Sequence, residues 1–143
     1  MKIKKLTEHI GAEIFDIRID SLEQSEVDEI KDAWLAHKVL VFRNQPISVE
    51  AHIAFGKHFG ELEIHPFADN LEDYPEIIVL EAGGDSPRQN YNAAQDWHID
   101  VSFREKPPLG SVLRGKTIPK HGGDTHFANA VAAYERLDSD IKN

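Results

Sequence analysis

The chain is organised around the stretch from Asp96 to Thr125, which contains Trp97-His98-Ile99-Asp100-Val101-Ser102-Phe103, then Pro107-Pro108, then Gly122-Gly123-Asp124-Thr125. Aromatic and β-branched residues are frequent in its first part, which predicts a strand from Trp97 to Phe103. Residues two apart on a strand point to the same side, so His98 and Asp100 would converge on one point. We interpret these two residues as ligands of one metal ion.

The His-x-Asp spacing is weak evidence when it is taken alone. Roughly 0.7 such pairs are expected by chance in a chain with 8 His and this Asp content. A histidine beside a solvated aspartate is the plainer interpretation. The chain has no cysteine, so thiolate ligands are excluded. Nitrogen and oxygen donors without sulfur fit the two-histidine, one-carboxylate centre of non-haem Fe(II) oxygenases, and a zinc hydrolase site stays open.

The second half of the stretch is a glycine turn followed by a hydroxyl group. Gly122 and Gly123 permit a tight turn with positive φ. The hydroxyl of Thr125 could then donate to a carboxylate that lies against the metal. An ordinary hairpin turn is the alternative interpretation of the same residues.

The residues before this stretch predict a scaffold of short strands and helices. Alternation from Ile3 to Ile19 predicts one or two strands with a turn at Gly11. The capping box Ser25-x-x-Asp28 predicts a helix that ends near His37. The helix would bury a face made of four residues spaced at helical intervals: Val27, Ile30, Trp34 and Leu35.

Further elements are predicted on both sides of the motif. Lys38–Arg43 predicts a buried strand, and Ser48 would cap a second helix. The remaining pattern predicts loops at 65–74 and 83–94. It also predicts strands at 76–81 and 110–117 and one beginning at 125–127, and Asn129 would cap a last helix. Trp34, Phe42, Phe55 and Phe59 are expected in the core.

This order of elements predicts an α+β fold built on a β-sandwich or jelly roll. Later strands are not separated by helices, which excludes a doubly wound parallel sheet. About five or six strands are too few to close a double sheet. We therefore expect one domain over residues 1–143 whose jelly roll is incomplete in this chain.

Composition argues against nucleic acid and membranes as partners. The net charge is -9 and the chain has no basic patch, so nucleic acid is not expected. No segment approaches about 20 apolar residues, so no membrane span is expected. No apolar signal region follows the first lysines, and we expect a cytoplasmic protein. The oligomeric state stays open, a homo-oligomer included.

The motif, taken with its surroundings, resembles the taurine dioxygenase (TauD/TfdA) family of Fe(II)- and 2-oxoglutarate-dependent dioxygenases. The quoted motif carries the resemblance. It extends back through Val39–Gln45, Phe59–Leu62 and Ile64–Pro66, and forward to Ala132–Tyr134. The family resemblance implies a double-stranded β-helix (jelly roll) with flanking helices, of which this chain would be the N-terminal part. It also implies Fe(II), 2-oxoglutarate and O₂ as cofactor and cosubstrates, and a small organic acid as substrate.

The resemblance also implies roles for individual residues. His98 and Asp100 match the first two iron ligands, and both are expected to be essential for catalysis. Thr125 matches the threonine that binds a carboxylate of 2-oxoglutarate. His65 matches a histidine that contacts the substrate, with an ordinary loop histidine as the alternative. Phe103 is expected to line the substrate pocket.

Some positions depart from the family pattern. Ala94 and Ala68 stand where the taurine enzyme has an asparagine and a tyrosine, which argues against taurine itself. A larger or less polar sulfonate, a sulfate ester or another carboxylate stays open. The family's second iron-binding histidine and its 2-oxoglutarate-binding arginine would lie beyond Asn143, so the chain alone is expected to be inactive. His121 and His126 match no ligand position. A truncated non-catalytic fragment and a metal-dependent hydrolase are the alternatives.

Overall fold

The chain is organised as two compact units. A computed structural model describes residues 1–66, 68, 70–80 and 96–142. The first unit comprises Met1–Ala51 with Gly115–Asn143, and the second comprises His52–Arg114. The first unit contains the N-terminal sheet, its helix and the end of the chain with Thr125, and the second unit contains His98 and Asp100.

The first unit begins with an antiparallel hairpin. Strands β1 (Lys2–Lys5) and β2 (Ala12–Phe15) pair along their length. Gly11 adopts a φ of 88° at the turn, as the sequence predicts, because glycine reaches this region without a steric penalty. The outer strand β1 is exposed and rich in lysine, which discourages pairing with another chain.

Helix α1 (Gln24–His37) follows the hairpin and begins one residue before the predicted capping box. The N–H of Glu23 donates to Glu26 Oε2 at 2.9 Å, so the capping box uses Glu23 and Glu26 instead of Ser25 and Asp28. A longer acidic side chain therefore caps the first turn. The helix ends at His37, as the sequence predicts.

The buried face of α1 differs from the predicted one. Val27, Ile30 and Ala33 are buried, whereas Leu35 is 68% exposed and Trp34 is half-buried. The small side chain of Ala33 permits close packing of the helix against the core. Its low hydrophobicity gave no sign in the sequence that this position is buried. The prediction that Leu35 lies on the buried face was therefore wrong.

Strand β3 (Leu40–Phe42) completes a three-stranded sheet in the order β1-β2-β3. It runs parallel to β2, with Ala12 opposite Leu40, and α1 makes the crossover. The predicted strand is confirmed within Lys38–Arg43, but it is half-buried where a buried strand was predicted. An edge strand has a neighbour on one side, and in this sheet burial is greatest on the central strand, at Ala12 and Ile14.

Helix α2 (Val49–Lys57) is capped as the sequence predicts, because Ser48 Oγ accepts from the N–H of Ala51 at 3.1 Å. In the second unit Phe55 is buried and packs edge-on against the half-buried Phe59, with ring centroids 5.2 Å apart. The hairpin of β4 (Asn70–Leu71) and β5 (Tyr74–Ile78) follows. Strand β4 falls within the predicted loop at 65–74, and the predicted loop at 83–94 lies outside the described residues.

The last third of the chain carries two short helices, α3 (Ala130–Glu135) and α4 (Ser139–Lys142). Asn129 Oδ1 accepts from the N–H of Ala132 at 3.0 Å and caps α3, as the sequence predicts. The predicted strand at 110–117 is irregular backbone, and so is the predicted one at 125–127. Within the part that the structure describes, neither segment has a neighbouring strand to satisfy its backbone groups.

The apolar core lies in the first 55 residues: Ala12, Ile14, Ile19, Val27, Ile30, Ala33, Ile47 and Phe55 are buried. Among residues 96–142 none is buried. The fold is therefore a mixture of helices and short strands, in agreement with the predicted α+β class, and its sheets form no closed barrel in the described ranges. No described helix has the length and apolar character needed to cross a membrane.

Candidate metal centre

The segment that holds His98 and Asp100 is a turn. The structure places residues 100–103 in turn conformation, and the N–H of Arg104 donates to the carbonyl of Val101 at 3.2 Å. The predicted strand from Trp97 to Phe103 was therefore wrong. A strand needs a partner for its backbone groups, and none of the described strands pairs with this segment.

Val101 shows how sharply the chain bends beside Asp100. Its φ of 52° lies in the left-handed region, which is unfavourable for a β-branched side chain. Strained residues of this kind persist where surrounding contacts hold them, and they cluster at functional sites. The turn therefore constrains the backbone directly after Asp100.

His98 and Asp100 converge in this turn, as the strand interpretation had required. Nε2 of His98 lies 3.2 Å from Oδ1 of Asp100. Two ligand atoms at right angles around a metal, each about 2.1 Å from it, would be about 3 Å apart. The observed separation of the donor atoms suits a shared metal ion, and it equally suits an ion pair when the imidazole is protonated.

A backbone carbonyl orients the imidazole. Nδ1 of His98 lies 2.7 Å from the carbonyl oxygen of Asp96, and since a carbonyl can only accept, Nδ1 must donate. This contact leaves the lone pair of the neutral ring on Nε2, the atom that faces Asp100. Metal-binding histidines are commonly oriented by such a bond from the other ring nitrogen.

A serine hydroxyl orients the carboxylate. Oγ of Ser111 donates to Oδ2 of Asp100 at 3.0 Å. The two oxygens of Asp100 are thereby distinguished, because Oδ2 accepts from Ser111 while Oδ1 faces His98. Each proposed ligand is thus held by one hydrogen bond through the atom that does not face the other ligand.

The turn is also tied to the polar segment after α2. Nη2 of Arg104 lies 2.7 Å from Oε1 of Glu63, and both side chains are partly exposed. The ion pair ties the end of the turn to Glu63, and the carboxylate of Glu63 is therefore paired with Arg104 and not with the His98–Asp100 pair. In the described ranges no group of three or more histidine, aspartate or glutamate side chains comes together, so the pair has no third ligand there.

Thr125 lies in the first unit, two residues after Gly123 of the predicted glycine turn. Gly122 and Gly123 have φ values of 75° and 71°, so both adopt the left-handed conformation that the sequence predicts. Thr125 itself is exposed. Its role at a cosubstrate stays a prediction.

The two predicted substrate residues lie in the second unit. The carbonyl of His65 accepts from Nδ2 of Asn70 at 3.2 Å, which links the loop to strand β4. Phe103 is 68% exposed at the end of the turn. Ala68 is half-buried, and Ala94 lies outside the described residues. The substrate roles of His65 and Phe103 stay predictions.

Sequence reasoning missed two groups that contact the pair: the carbonyl of Asp96 and the hydroxyl of Ser111. Beside Ser111, Nε2 of His52 lies 3.0 Å from the carbonyl oxygen of Val112. A backbone carbonyl carries no sequence signal. Ser111 is 11 residues away from Asp100 in sequence and reaches it only through the fold.

Comparison with known proteins now decides the family. The model of the family described as taurine catabolism dioxygenase TauD, TfdA matches residues 2–143. The chain belongs to the TauD/TfdA family. An alkylsulfatase of Acinetobacter baylyi is 39% identical over 99% of this chain and 44% of its own length. An alpha-ketoglutarate-dependent sulfonate dioxygenase of Saccharomyces cerevisiae is 31% identical over the whole chain and 37% of its own length.

The chain is also similar to a solved structure. A crystal structure of a taurine dioxygenase from Burkholderia xenovorans superposes with a TM-score of 0.84, at 36% identity, over 99% of this chain and 49% of that one. The chain therefore spans less than half the length of these relatives. The family resemblance seen in the motif is confirmed.

Proposed function

We propose that this chain is the N-terminal part of an Fe(II)- and 2-oxoglutarate-dependent dioxygenase that hydroxylates a small sulfonate or sulfate ester. One observation carries the proposal. Nε2 of His98 and Oδ1 of Asp100 face each other at 3.2 Å, and each side chain is oriented by a hydrogen bond through its other polar atom. In this proposal the two residues are two of the three protein ligands of the iron.

The donor set suits Fe(II). A neutral imidazole nitrogen and a carboxylate oxygen are the ligand types of the facial triad, and the chain offers no thiolate that would favour zinc or copper. The side chains of His98 and Asp100 are 50% and 56% exposed, so the pair is accessible to a third ligand and to small molecules. When bound, the iron supplies the activation of O₂ that is coupled to decarboxylation of 2-oxoglutarate and hydroxylation of the substrate.

Thr125 is proposed to hold a carboxylate of 2-oxoglutarate. A threonine hydroxyl can donate one hydrogen bond to a carboxylate oxygen. The left-handed turn at Gly122 and Gly123 lies just before Asp124 and Thr125 in the chain. The side chain is exposed and therefore accessible to a small cosubstrate.

The proposed substrate class rests on the relatives and on the polarity of the site. The two relatives described above are named for an alkyl sulfate and a sulfonate, which share a tetrahedral anionic sulfur group. His65 would contact this group, and Phe103 would contact the carbon chain. Alanine at position 68 makes the surroundings less polar, which favours an alkyl substrate over taurine.

Residues 1–143 are proposed to form the N-terminal portion of one jelly-roll domain. Large apolar side chains of the second half are exposed, which is costly unless other residues cover them: Trp97, Ile99, Phe103, Leu109, Leu113 and Ile118. The relatives are more than twice as long as the matched region. A remaining part of that length would be large enough to cover these apolar side chains. The third iron ligand and the arginine for 2-oxoglutarate would come from that remaining part.

A metal-dependent hydrolase is the second candidate, because one relative carries the name alkylsulfatase. A hydrolase would use metal-bound water to cleave the sulfate ester and would need neither O₂ nor 2-oxoglutarate. A dioxygenase would instead hydroxylate the carbon next to the ester oxygen, and the product would then release sulfate.

The experiment measures succinate and sulfate release by the full-length protein with Fe(II). The panel contains alkyl sulfates, alkyl sulfonates, taurine and aryloxy acids, each with and without O₂ and 2-oxoglutarate. We expect succinate in proportion to substrate consumed, with alkyl sulfates or sulfonates preferred. Sulfate release without O₂ and 2-oxoglutarate would establish the hydrolase instead.

A further inference from the structure

The geometry points to Ser111 as a positioning residue that fixes the orientation of Asp100 for metal binding. The inference rests on the proposed function, since it takes Asp100 as a metal ligand. Ser111 is exposed and lies 11 residues after Asp100 in sequence. Its hydroxyl would act through the carboxylate and would not itself touch the metal.

The hydrogen bond from Ser111 distinguishes the two oxygens of Asp100, because only Oδ2 accepts it. Oγ of Ser111 lies 3.0 Å from Oδ2, and Oδ1 lies 3.2 Å from Nε2 of His98. An ionised carboxylate only accepts hydrogen bonds, so the hydroxyl is the donor. With Oδ2 engaged, Oδ1 is the oxygen directed to the position that His98 also faces.

The residue after Ser111, Val112, is held by helix α2. Nε2 of His52 lies 3.0 Å from the carbonyl oxygen of Val112, and His52 is the donor because a carbonyl only accepts. His52 lies near the middle of α2, a regular helix of nine residues. The path from His52 through Val112 and Ser111 to Asp100 lies entirely within the second unit.

This arrangement matters because Asp100 is exposed. A carboxylate that is 56% exposed can rotate and hydrate freely unless a partner holds it. The metal would otherwise have to order the side chain on binding. Partners that orient metal ligands typically change metal affinity by about 10- to 100-fold.

The same exposure separates positioning from folding. A hydrogen bond between two solvent-accessible groups adds little to the stability of the fold. Removing the Ser111 hydroxyl should therefore weaken metal binding while the unfolding temperature of the metal-free protein stays unchanged. Ser102 provides a matched control, since it is an exposed serine two residues from Asp100.

The test compares binding of Mn(II), a redox-stable probe, to full-length variants by electron paramagnetic resonance titration. Ser111→Ala and Ser111→Val should raise the Kd for Mn(II) by about 10- to 100-fold. Ser111→Thr restores a hydroxyl on a side chain shaped like valine and should bind close to wild type. Ser102→Ala should bind as wild type does.

The outcomes separate the two proposals. If Ser111→Ala binds Mn(II) within twofold of wild type while His98→Ala loses binding, the role of Ser111 is overturned and the metal site stands. If wild type and His98→Ala bind Mn(II) equally, or neither binds, the metal site itself falls. A loss in Ser111→Ala that is accompanied by an equal loss in Ser102→Ala would also overturn the specific role of Ser111.

Discussion

His98 Nε2 lies 3.2 Å from Asp100 Oδ1 in a turn whose backbone bends sharply at Val101. Because Nδ1 of His98 donates to a backbone carbonyl, the neutral ring would present a lone pair to a carboxylate. A metal cation between these two atoms would be attracted by both, which is the arrangement that ligation by the pair requires.

The buried face of α1 gives a stability prediction with an internal control. Ile30 is 1% exposed, so Ile30→Ala should lower the free energy of unfolding by about 2–5 kcal/mol through lost burial and a cavity. Leu35→Ala on the same helix should change it by less than about 0.5 kcal/mol. Urea denaturation measures both. Equal losses would contradict the observed orientation of the helix.

The glycine turn before Thr125 gives a second matched pair. An alanine Cβ at Gly123 would lie 3.1 Å from Cγ of Pro119, whereas at Gly122 nothing lies within 4 Å. Both substitutions strain a positive φ and should lower the free energy of unfolding by about 1 kcal/mol. Gly123→Ala should lower it further and raise the KM for 2-oxoglutarate more than Gly122→Ala. Identical effects in denaturation and kinetics would argue against the Pro119 contact.

Asn129 joins two parts of the first unit with one side chain. Its Oδ1 caps α3, and its Nδ2 donates to the carbonyl of His9 at 2.8 Å. Asn129→Ala loses both bonds and should cost about 1–2 kcal/mol of stability. Asn129→Asp keeps the cap and loses the donor, so it should fall between wild type and Asn129→Ala. A denaturation midpoint for Asn129→Ala equal to that of wild type would refute these contacts.

The pair Arg18 and Asp20 gives a pH prediction. The hydrogen bond from the Arg18 guanidinium lowers the pKa of Asp20 below its ordinary value. A lowered folded-state pKa stabilises the protein above the ordinary carboxyl pKa, and the contribution is lost as pH falls through the lowered value. Arg18→Gln should raise the pKa of Asp20 toward its ordinary value in an NMR titration. Unchanged titration of Asp20 would contradict the pairing.

Local patterns predicted much of the scaffold. Gly11 at the first turn, the end of α1 at His37, and the caps Ser48 and Asn129 each depend on residues within a few positions of one another. Backbone preference and capping act over that range, so the sequence carries their signal. The start of α1 was missed because glutamate at position 23 is a less usual cap than the nearby serine.

The errors lie where distant contacts decide the structure. The residues from Trp97 to Phe103 favour a strand, but β-propensity is expressed only when a neighbouring strand accepts the backbone hydrogen bonds. His98 and Asp100 lie close together although the reasoning assumed a strand, and their role as metal ligands stays a prediction. The groups that orient them, above all Ser111, depend on tertiary contacts that spacing does not encode.

The most direct test of the iron-site assignment is succinate formation from 2-oxoglutarate by the full-length protein with Fe(II) and O₂. Wild type should form succinate, and His98→Ala and Asp100→Ala should each lose more than about 100-fold of this rate, because each removes a protein ligand of the metal. His126→Ala, an exposed histidine in no proposed role, should retain it. Succinate formation by His98→Ala or Asp100→Ala at the wild-type rate would contradict the assignment.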